Sequence, residues 1–207
     1  MNPFQVYIPN MEGGQVGKAC NRIIENAFDS WVGIMDADVL LDTHPNWDAV
    51  CRRAIEDHPE TGIFTCVTNN IYGPPQKRLD APQSHDILGH RAFAKQVWDE
   101  HGMTLEPVLK PISGFFMLFN RDKAREWGMF PGVGQFKEDN EFSRRCLAAG
   151  HPIYLLKGLY MYHKRWRDKA TASFIEGEIT ACHLSKGSRD KPRKHWTRPR
   201  KVRGVGQ

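Results

Sequence analysis

The stretch Trp31-Val32-Gly33-Ile34-Met35-Asp36-Ala37-Asp38-Val39 decides the architecture. An apolar run over Trp31–Met35 leads straight into two acids spaced i and i+2, which reads as a buried strand delivering carboxylates to its C-terminal end. In open α/β sheets that edge is where ligands bind. Two carboxylates separated by one small residue can hold a hard divalent cation such as Mg²⁺ or Mn²⁺. Alternatively, one holds the metal while the other takes a sugar hydroxyl. A solvated strand-end turn also favours Asp, so the pair by itself leaves both readings open.

The flanking sequence alternates strands with helices. Phe4–Pro9 reads as a strand stopped by Pro9, Asn10 and the Gly13-Gly14 turn. Val16, Ala19, Cys20, Ile23, Ile24 and Ala27 recur at three and four, one face of a helix over Gln15–Phe28. Asn46–Glu56 predicts a second helix, Gly62–Thr68 a β-branched and aromatic strand, and Asp86–Glu100 a third helix. Between them Asn69–His85, with Gly73-Pro74-Pro75 and Pro82, is a long loop, and loops of that length are commonly functional or mobile. Ser113–Asn120 reads as a strand, Arg121–Trp127 as a short helix and Gly128–Gly134 as a turn. Glu138–Ala149 is a helix stopped by Gly150. Ile153–Leu156 and Leu159–His163 are the last strands, and Thr171–Leu184 a final helix. Such alternation predicts an α/β sandwich around a mostly parallel sheet.

Composition bounds the rest. The 207 residues are 40% apolar and 11% aromatic, enough for one domain with a real core and too apolar for a disordered chain. The longest apolar stretch, Phe115–Phe119, has five residues against the roughly 18–20 a membrane-spanning helix needs. The N-terminal residues show no basic-then-apolar leader, and the five cysteines (Cys20, Cys51, Cys66, Cys146, Cys182) are odd in number and never CxxC. A reducing, cytoplasmic location is expected, with the cysteines as buried thiols. The net charge of +5 is uneven: residues 186–207 set nine Lys and Arg against Asp190 alone, leaving residues 1–185 mildly acidic. The expected organisation is one domain over 1–185 and a basic tail over 186–207. That tail, carrying Trp196, suits an anionic surface or nucleic acid, or is simply solvated.

Three further segments carry candidate chemistry. Ser113-Gly114-Phe115-Phe116 puts a glycine at a strand start, where backbone can approach a ligand closely. Lys137-Glu138-Asp139-Asn140-Glu141-Phe142-Ser143-Arg144 opens a helix with acids, which helix-dipole complementarity also explains. Tyr160-Met161-Tyr162-His163 ends a strand on a histidine that is either structural or a ligand.

Taken in order, strand-Asp-x-Asp, Ser-Gly-Phe-Phe, Glu-Asp at a helix start with Phe-Ser-x-Arg, and a terminal Tyr-x-His resemble the GT-A fold glycosyltransferases of the inverting family 2 type. The resemblance runs from about Val6 to Arg165. It implies a GT-A-like, Rossmann-like three-layer sandwich, a nucleotide-diphosphate-sugar donor and a divalent cation, Mn²⁺ or Mg²⁺. By that resemblance Asp38 ligates the metal, Asp36 contacts the donor's ribose or sugar and can reach the metal, and His163 completes the metal site. Asp139 is the catalytic base with Glu138 beside it. Gly17, Lys18 and Asn21 are similar to a Gly-x-x-x-Ala-x-Asn pattern near the nucleotide base. Pro9, Asn10, Ala37, Ser113 and Gly114 complete the donor side, and Lys164, Arg165 and Trp166 would meet diphosphate or acceptor.

One departure stands out. Family members carry an Ile-Pro-x-Tyr-Asn strand and a second, acid-bearing strand well before the Asp-x-Asp, whereas only 35 residues precede Asp36. Val6-Tyr7-Ile8-Pro9-Asn10 is either the first strand after a deletion, the reading favoured here, or the later strand that runs into the helix. The expectation is a minimal GT-A core, shortened at the N-terminus. It would move a hexose from a UDP-sugar, or a GDP-sugar, to a hydroxyl on a glycan, lipid or protein. The alternatives are a non-catalytic nucleotide- or glycan-binding remnant, a nucleotidyltransferase echoed faintly in Gly13-Gly14-Gln15-Val16-Gly17-Lys18, and a nucleic-acid-binding module resting on the tail.

Overall fold

A computed structural model describes residues 4–9, 15–71, 75–132 and 137–164, which belong to one compact unit. Asn10, Gly13, Gly14, Gly134, Arg165, Trp166, Cys182, Trp196, the helix expected over Thr171–Leu184 and the basic segment 186–207 lie outside the described residues.

In chain order the elements are β1 (Phe4–Tyr7), α1 (Val16–Asn26), β2 (Trp31–Met35), β3 (Val39–Leu40), a 3-10 turn (Leu41–Thr43), α2 (Trp47–Asp57), β4 (Ile63–Val67) and α3 (Ile87–His101). There follow β5 (Leu105–Pro107), β6 (Phe116–Asn120), α4 (Arg121–Glu126), α5 (Glu138–Ala148), β7 (Ile153–Tyr160) and β8 (Tyr162–His163). The main sheet has six strands in the order β1-β2-β6-β4-β7-β5. β1, β2, β4 and β7 share one direction, while β6 and β5 run against them. The sheet is therefore mostly parallel, as expected, with an antiparallel strand wedged at its centre. That strand matters for the site. Because β6 runs opposite to β2, its entrance lies beside the exit of β2, and the Asp36 N–H donates to the Phe115 carbonyl at 2.9 Å.

Alternation along the strands builds two cores, one on each side of the sheet. On one side Val32 and Ile34 of β2 meet Met117 and Phe119 of β6, with Ile63 and Ile153, under Ile24 of α1 and Phe142 and Cys146 of α5. On the other, Trp31, Met35, Phe64, Phe116 and Leu118 pack against Val50, Cys51, Ala54 and Ile55 of α2. The period-two pattern is why β2 is buried at all five positions: both of its faces are covered. Helices start where local side chains satisfy their free N–H groups. Asp86 accepts from Leu88 and Gly89 at the head of α3, and Asn120 from Asp122 and Lys123 at the head of α4. Past α5, Gly150 takes the left-handed conformation (φ 82°) that ends the helix.

Three features differ from the sequence reading. β3, β5 and β8 have two or three residues each and show no periodicity to read. The strand expected from Ser113 begins only at Phe116, because Ser113–Phe115 bond to the loop after β4 and to Asp36 and Asp139 instead of a ladder. Of the two final strands expected, Ile153–Leu156 and Leu159–Tyr160 run together in β7 across a bulge, where the register jumps from Cys66↔Leu156 to Val67↔Tyr160, and Tyr162–His163 form the separate β8. The four described cysteines are buried and free.

Phe142 is fully buried, stacked on Phe130 (centroids 4.0 Å apart, 7° between planes) and edge-on to Phe119 at 5.1 Å. Phe142→Ala should cost about 3–5 kcal/mol in urea denaturation, the range for a truncated core aromatic.

Candidate active site

The exit of β2 is a sharp change of environment. Met35 is buried, Asp36 and Ala37 are exposed, and Asp38 is half-buried where the chain turns into β3. β3 pairs antiparallel with β8, Val39 opposite His163, so this small two-stranded ladder carries a histidine from residue 163 onto the acid pair. His163 Nε2 lies 3.1 Å from Asp38 Oδ1 and 3.7 Å from Asp36 Oδ2. One ligand atom from each of the three residues can be chosen so that all lie within 4.8 Å of one another.

The His163 ring is held from several sides. It stacks on Phe115 (5.7 Å, 15°), and the backbone N–H of His163 donates to Asn69 Oδ1 at 2.9 Å. Its Nδ1 is buried with no hydrogen-bond partner among the described residues, so stacking and backbone, rather than a bond to the second ring nitrogen, fix its orientation. Two carboxylates and an imidazole suit a hard or borderline divalent ion such as Mn²⁺ or Mg²⁺.

Asp139 opens α5 on the other side of the β6 entrance. Its Oδ2 accepts from the Gly114 N–H at 2.7 Å, and its Oδ1 from the Asn140 N–H at 2.8 Å. Burial pushes the Asp139 carboxyl above its ordinary value, while the Gly114, Asn140 and its own N–H groups pull it back. The glycine at 114 has a definite reason: a Cβ there would sit 2.8 Å from the Asp139 Cβ. What approaches the Gly114 backbone is therefore the acid itself.

Glu138, beside it, is buried (6% exposed). Its carboxyl lies against Gly17 in the first turn of α1, where a side chain would collide with it. Burial raises it, the Gly17 N–H lowers it, and the charge of Asp139 adds to the rise. α1 has no acid in its own first turn and no side-chain cap, so Glu138 supplies negative charge at that helix N-terminus. Cys20 reports the same convergence: burial, then Glu138 and Asp36, push its thiol up to about 12.

One cavity of about 200 Å³ gathers Pro9, Asp36, Ser113, Gly114, Glu138 and Asp139, together with Lys137. Six residues expected from the sequence thus line one space, and Asp38 and His163 adjoin it through Asp36. Others stand apart. Asn21 spends both ends of its amide on the Phe130 backbone, at 2.9 Å each way, and Lys18 is exposed. Lys164 donates its N–H to the Asp38 carbonyl at 2.9 Å, beside the triad. Sequence reasoning missed Asn69 and Gln76, the buried polar residues of the long loop that bond to the site backbone. Two polar loop residues carry no signal except that their loop is long.

The sequence model described as "Glycosyltransferase like family 2" matches residues 3–177. The chain belongs to glycosyltransferase family 2. No curated protein matches it. Among solved structures, this family 2 chain is similar to S. aureus TarS 1–349 at 17% identity and a TM-score of 0.43, covering 70% of this chain and 39% of that one. The same protein in complex with UDP gives 18%, 0.46, 74% and 41%. A CMP:2-keto-3-deoxy-manno-octonic acid synthetase complexed with CTP gives 9%, 0.38, 84% and 70%. The glycosyltransferase chain thus spans about two fifths of the TarS chains. Among its described residues no helix is long and apolar enough to cross a membrane.

Calorimetric titration with Mn²⁺ should show one saturable site. Asp38→Ala and His163→Ala should each weaken it beyond the roughly 10–100-fold that loss of an outer-shell partner costs. Stability should also report on Asp139. A carboxyl raised on folding stabilises the protein fully only below its unfolded value, and that contribution is lost as pH rises through the folded value. The urea midpoint of wild type should therefore fall as pH rises through the folded value of Asp139, and Asp139→Asn should flatten that part of the pH dependence.

Proposed function

We propose that the chain transfers a hexose from a nucleotide-diphosphate donor, a UDP-sugar before a GDP-sugar, to a hydroxyl on a glycan, lipid or protein acceptor. Transfer inverts the anomeric centre and depends on Mn²⁺ or Mg²⁺ held by Asp36, Asp38 and His163. The observation that carries the reading is the Gly114-Phe115 pair. Gly114 bonds to the carboxylate of Asp139 and Phe115 to the backbone of Asp36, so two consecutive residues tie a half-buried acid to a cluster suited to a cation.

When bound, the ion supplies Lewis acidity toward the departing diphosphate. The chain's residues do the rest. Asp139, aimed by two N–H groups and raised by burial, takes the proton of the attacking hydroxyl at a carboxylate oxygen. The rise makes the carboxylate a better proton acceptor than an ordinary exposed aspartate. Asp36, exposed at the mouth, serves the donor's ribose or sugar, and Pro9, Ser113 and Gly114 line the donor's side of the cavity. Lys164, carried by the segment that holds His163, contacts diphosphate or acceptor. Glu138 works through the backbone of α1, not on the reacting atoms, because its carboxyl is turned to Gly17.

The test is binding first, then turnover. UDP, GDP and their hexose conjugates are titrated with and without Mn²⁺ into wild type and Asp38→Ala. Metal-dependent binding of one nucleotide, lost in the variant, is expected; no binding of any would overturn the donor assignment. With the bound donor labelled, Asp139→Asn should retain binding and lose about 10²–10⁴-fold in kcat. If Asp139→Asn turns over normally while Asp38→Ala is dead, the base is another residue. Metal-dependent binding with no product from any acceptor would favour the non-catalytic binding remnant.

A further inference from the structure

The distance between the acid at 139 and the cluster at 36, 38 and 163 is set by none of those residues. It depends on the segment Ser113-Gly114-Phe115, which touches Asp139 through Gly114, Asp36 through the Phe115 carbonyl and His163 through the Phe115 ring. We propose that Gln76 is the positioning residue of this site: its buried amide clamps the backbone of Ser113 and thereby aims the Gly114 N–H at Asp139. The inference rests on reading Asp139 as the acid that matters here.

Gln76 is 2% exposed. Its Oε1 accepts from the Ser113 N–H at 2.8 Å, and its Nε2 donates to the Ser113 carbonyl at 3.0 Å and to Thr65 Oγ1 at 2.7 Å. Thr65 in turn donates to the Phe116 carbonyl at 2.8 Å, so the first residues of β6 are gripped on both sides of Gly114. The grip has a fixed origin. The Gln76 carbonyl accepts from the Thr68 N–H, and the Thr68 carbonyl from the Arg78 N–H, each at 2.8 Å, which ties the loop to the end of β4. A side chain making three hydrogen bonds in a dry interior has one low-energy orientation, because each bond left unmade costs the full desolvation of its group.

The chemistry requires an amide of this length. A carboxylate could accept from Ser113 but could not donate to its carbonyl, and would bring a buried charge. Asn is one methylene too short to reach from the same backbone. The loop's other buried amide, Asn69, does the corresponding work on the metal side by accepting from the His163 N–H. The exit of β4 thus pins both halves of the site.

The test needs no substrate. In the uniformly ¹⁵N-labelled full chain, the Gly114 amide proton shift should follow the ionisation of Asp139 as pH is varied. Asp139→Asn should abolish that titration, which identifies it. In Gln76→Ala the titration amplitude at Gly114 should fall by about half or more as its hydrogen bond lengthens. Its midpoint should move to higher pH, since a bond that stabilises the carboxylate has weakened. Gln76→Met keeps the length and removes all three hydrogen bonds, and should behave alike should the alanine variant not fold. Gln76→Glu, which restores one acceptor, should fall between. A Gly114 titration unchanged in Gln76→Ala or Gln76→Met, in a chain whose other amides keep their positions, would overturn the inference. The readout is independent of sugar transfer: a collapsed titration upholds the clamp even if no donor is ever turned over, and an intact one overturns it even in an active enzyme.

Discussion

The Gly114 N–H to Asp139 hydrogen bond carries more than its own energy, because it helps to hold a carboxylate in a space that other carboxylates share. Asp36, Glu138 and Asp139 line a single small cavity, with Asp38 half-buried next to it. Burial raises both Asp139 and Glu138, and the charge of Asp139 adds to the rise of Glu138. The chain answers with backbone N–H groups. Gly114 and Asn140 serve Asp139, Gly17 serves Glu138, and the imidazole of His163 lies between Asp36 and Asp38. The fold is organised to bring those donors in. An antiparallel strand at the centre of a mostly parallel sheet turns its entrance, with three backbone residues outside the ladder, toward the exit of β2.

Much of this was legible from residue order. The apolar run ending in Asp36-Ala37-Asp38 fixed a buried strand and its chemical end, because a strand covered on both faces admits no polar interruption. The helices were readable to within a residue or two, since three- and four-residue spacing and caps such as Asp86 are local signals. Asp38, His163 and Asp139 were legible only in combination, each having an ordinary structural explanation when taken singly. What could not be read was anything set by pairing at a distance. β3 and β8 are two residues each and exist only because they meet, with Val39 opposite His163 across 124 positions. Gln76 and Asn69 look like any polar loop residues until the loop folds under the site. Asn21 reads as a ligand-binding side chain by pattern and proves to be a brace for Phe130, because its amide finds backbone partners 109 residues on.

Glu138 shows how one sequence feature can serve two ends. The acids that open α5 were explicable by the dipole of their own helix, and Glu138 does answer a helix N-terminus. That helix is α1, reached across the domain, and a glycine at 17 leaves room for the carboxyl. The neighbouring position, Asp139, lines the same cavity but turns its carboxylate to the Gly114 amide. Adjacent residues on a first helical turn point about 100° apart, which is how one buried acid came to be structural and the next available for chemistry.

The small β3–β8 ladder has a consequence for how the protein acquires its site over time. The contact between His163 and Asp38 spans 125 residues, and Asn69 reaches His163 across 94. Contacts of such separation close late, after loop entropy has been spent on the larger sheet. During synthesis the acid pair emerges early and waits, exposed, until nearly all of the compact unit has followed. A chain released before residue 163 would therefore carry the donors of the acid side, Gly114 and Asn140, without the imidazole that joins Asp36 to Asp38. Completion of the Asp36, Asp38 and His163 cluster is in this sense a check that the whole sheet has been made.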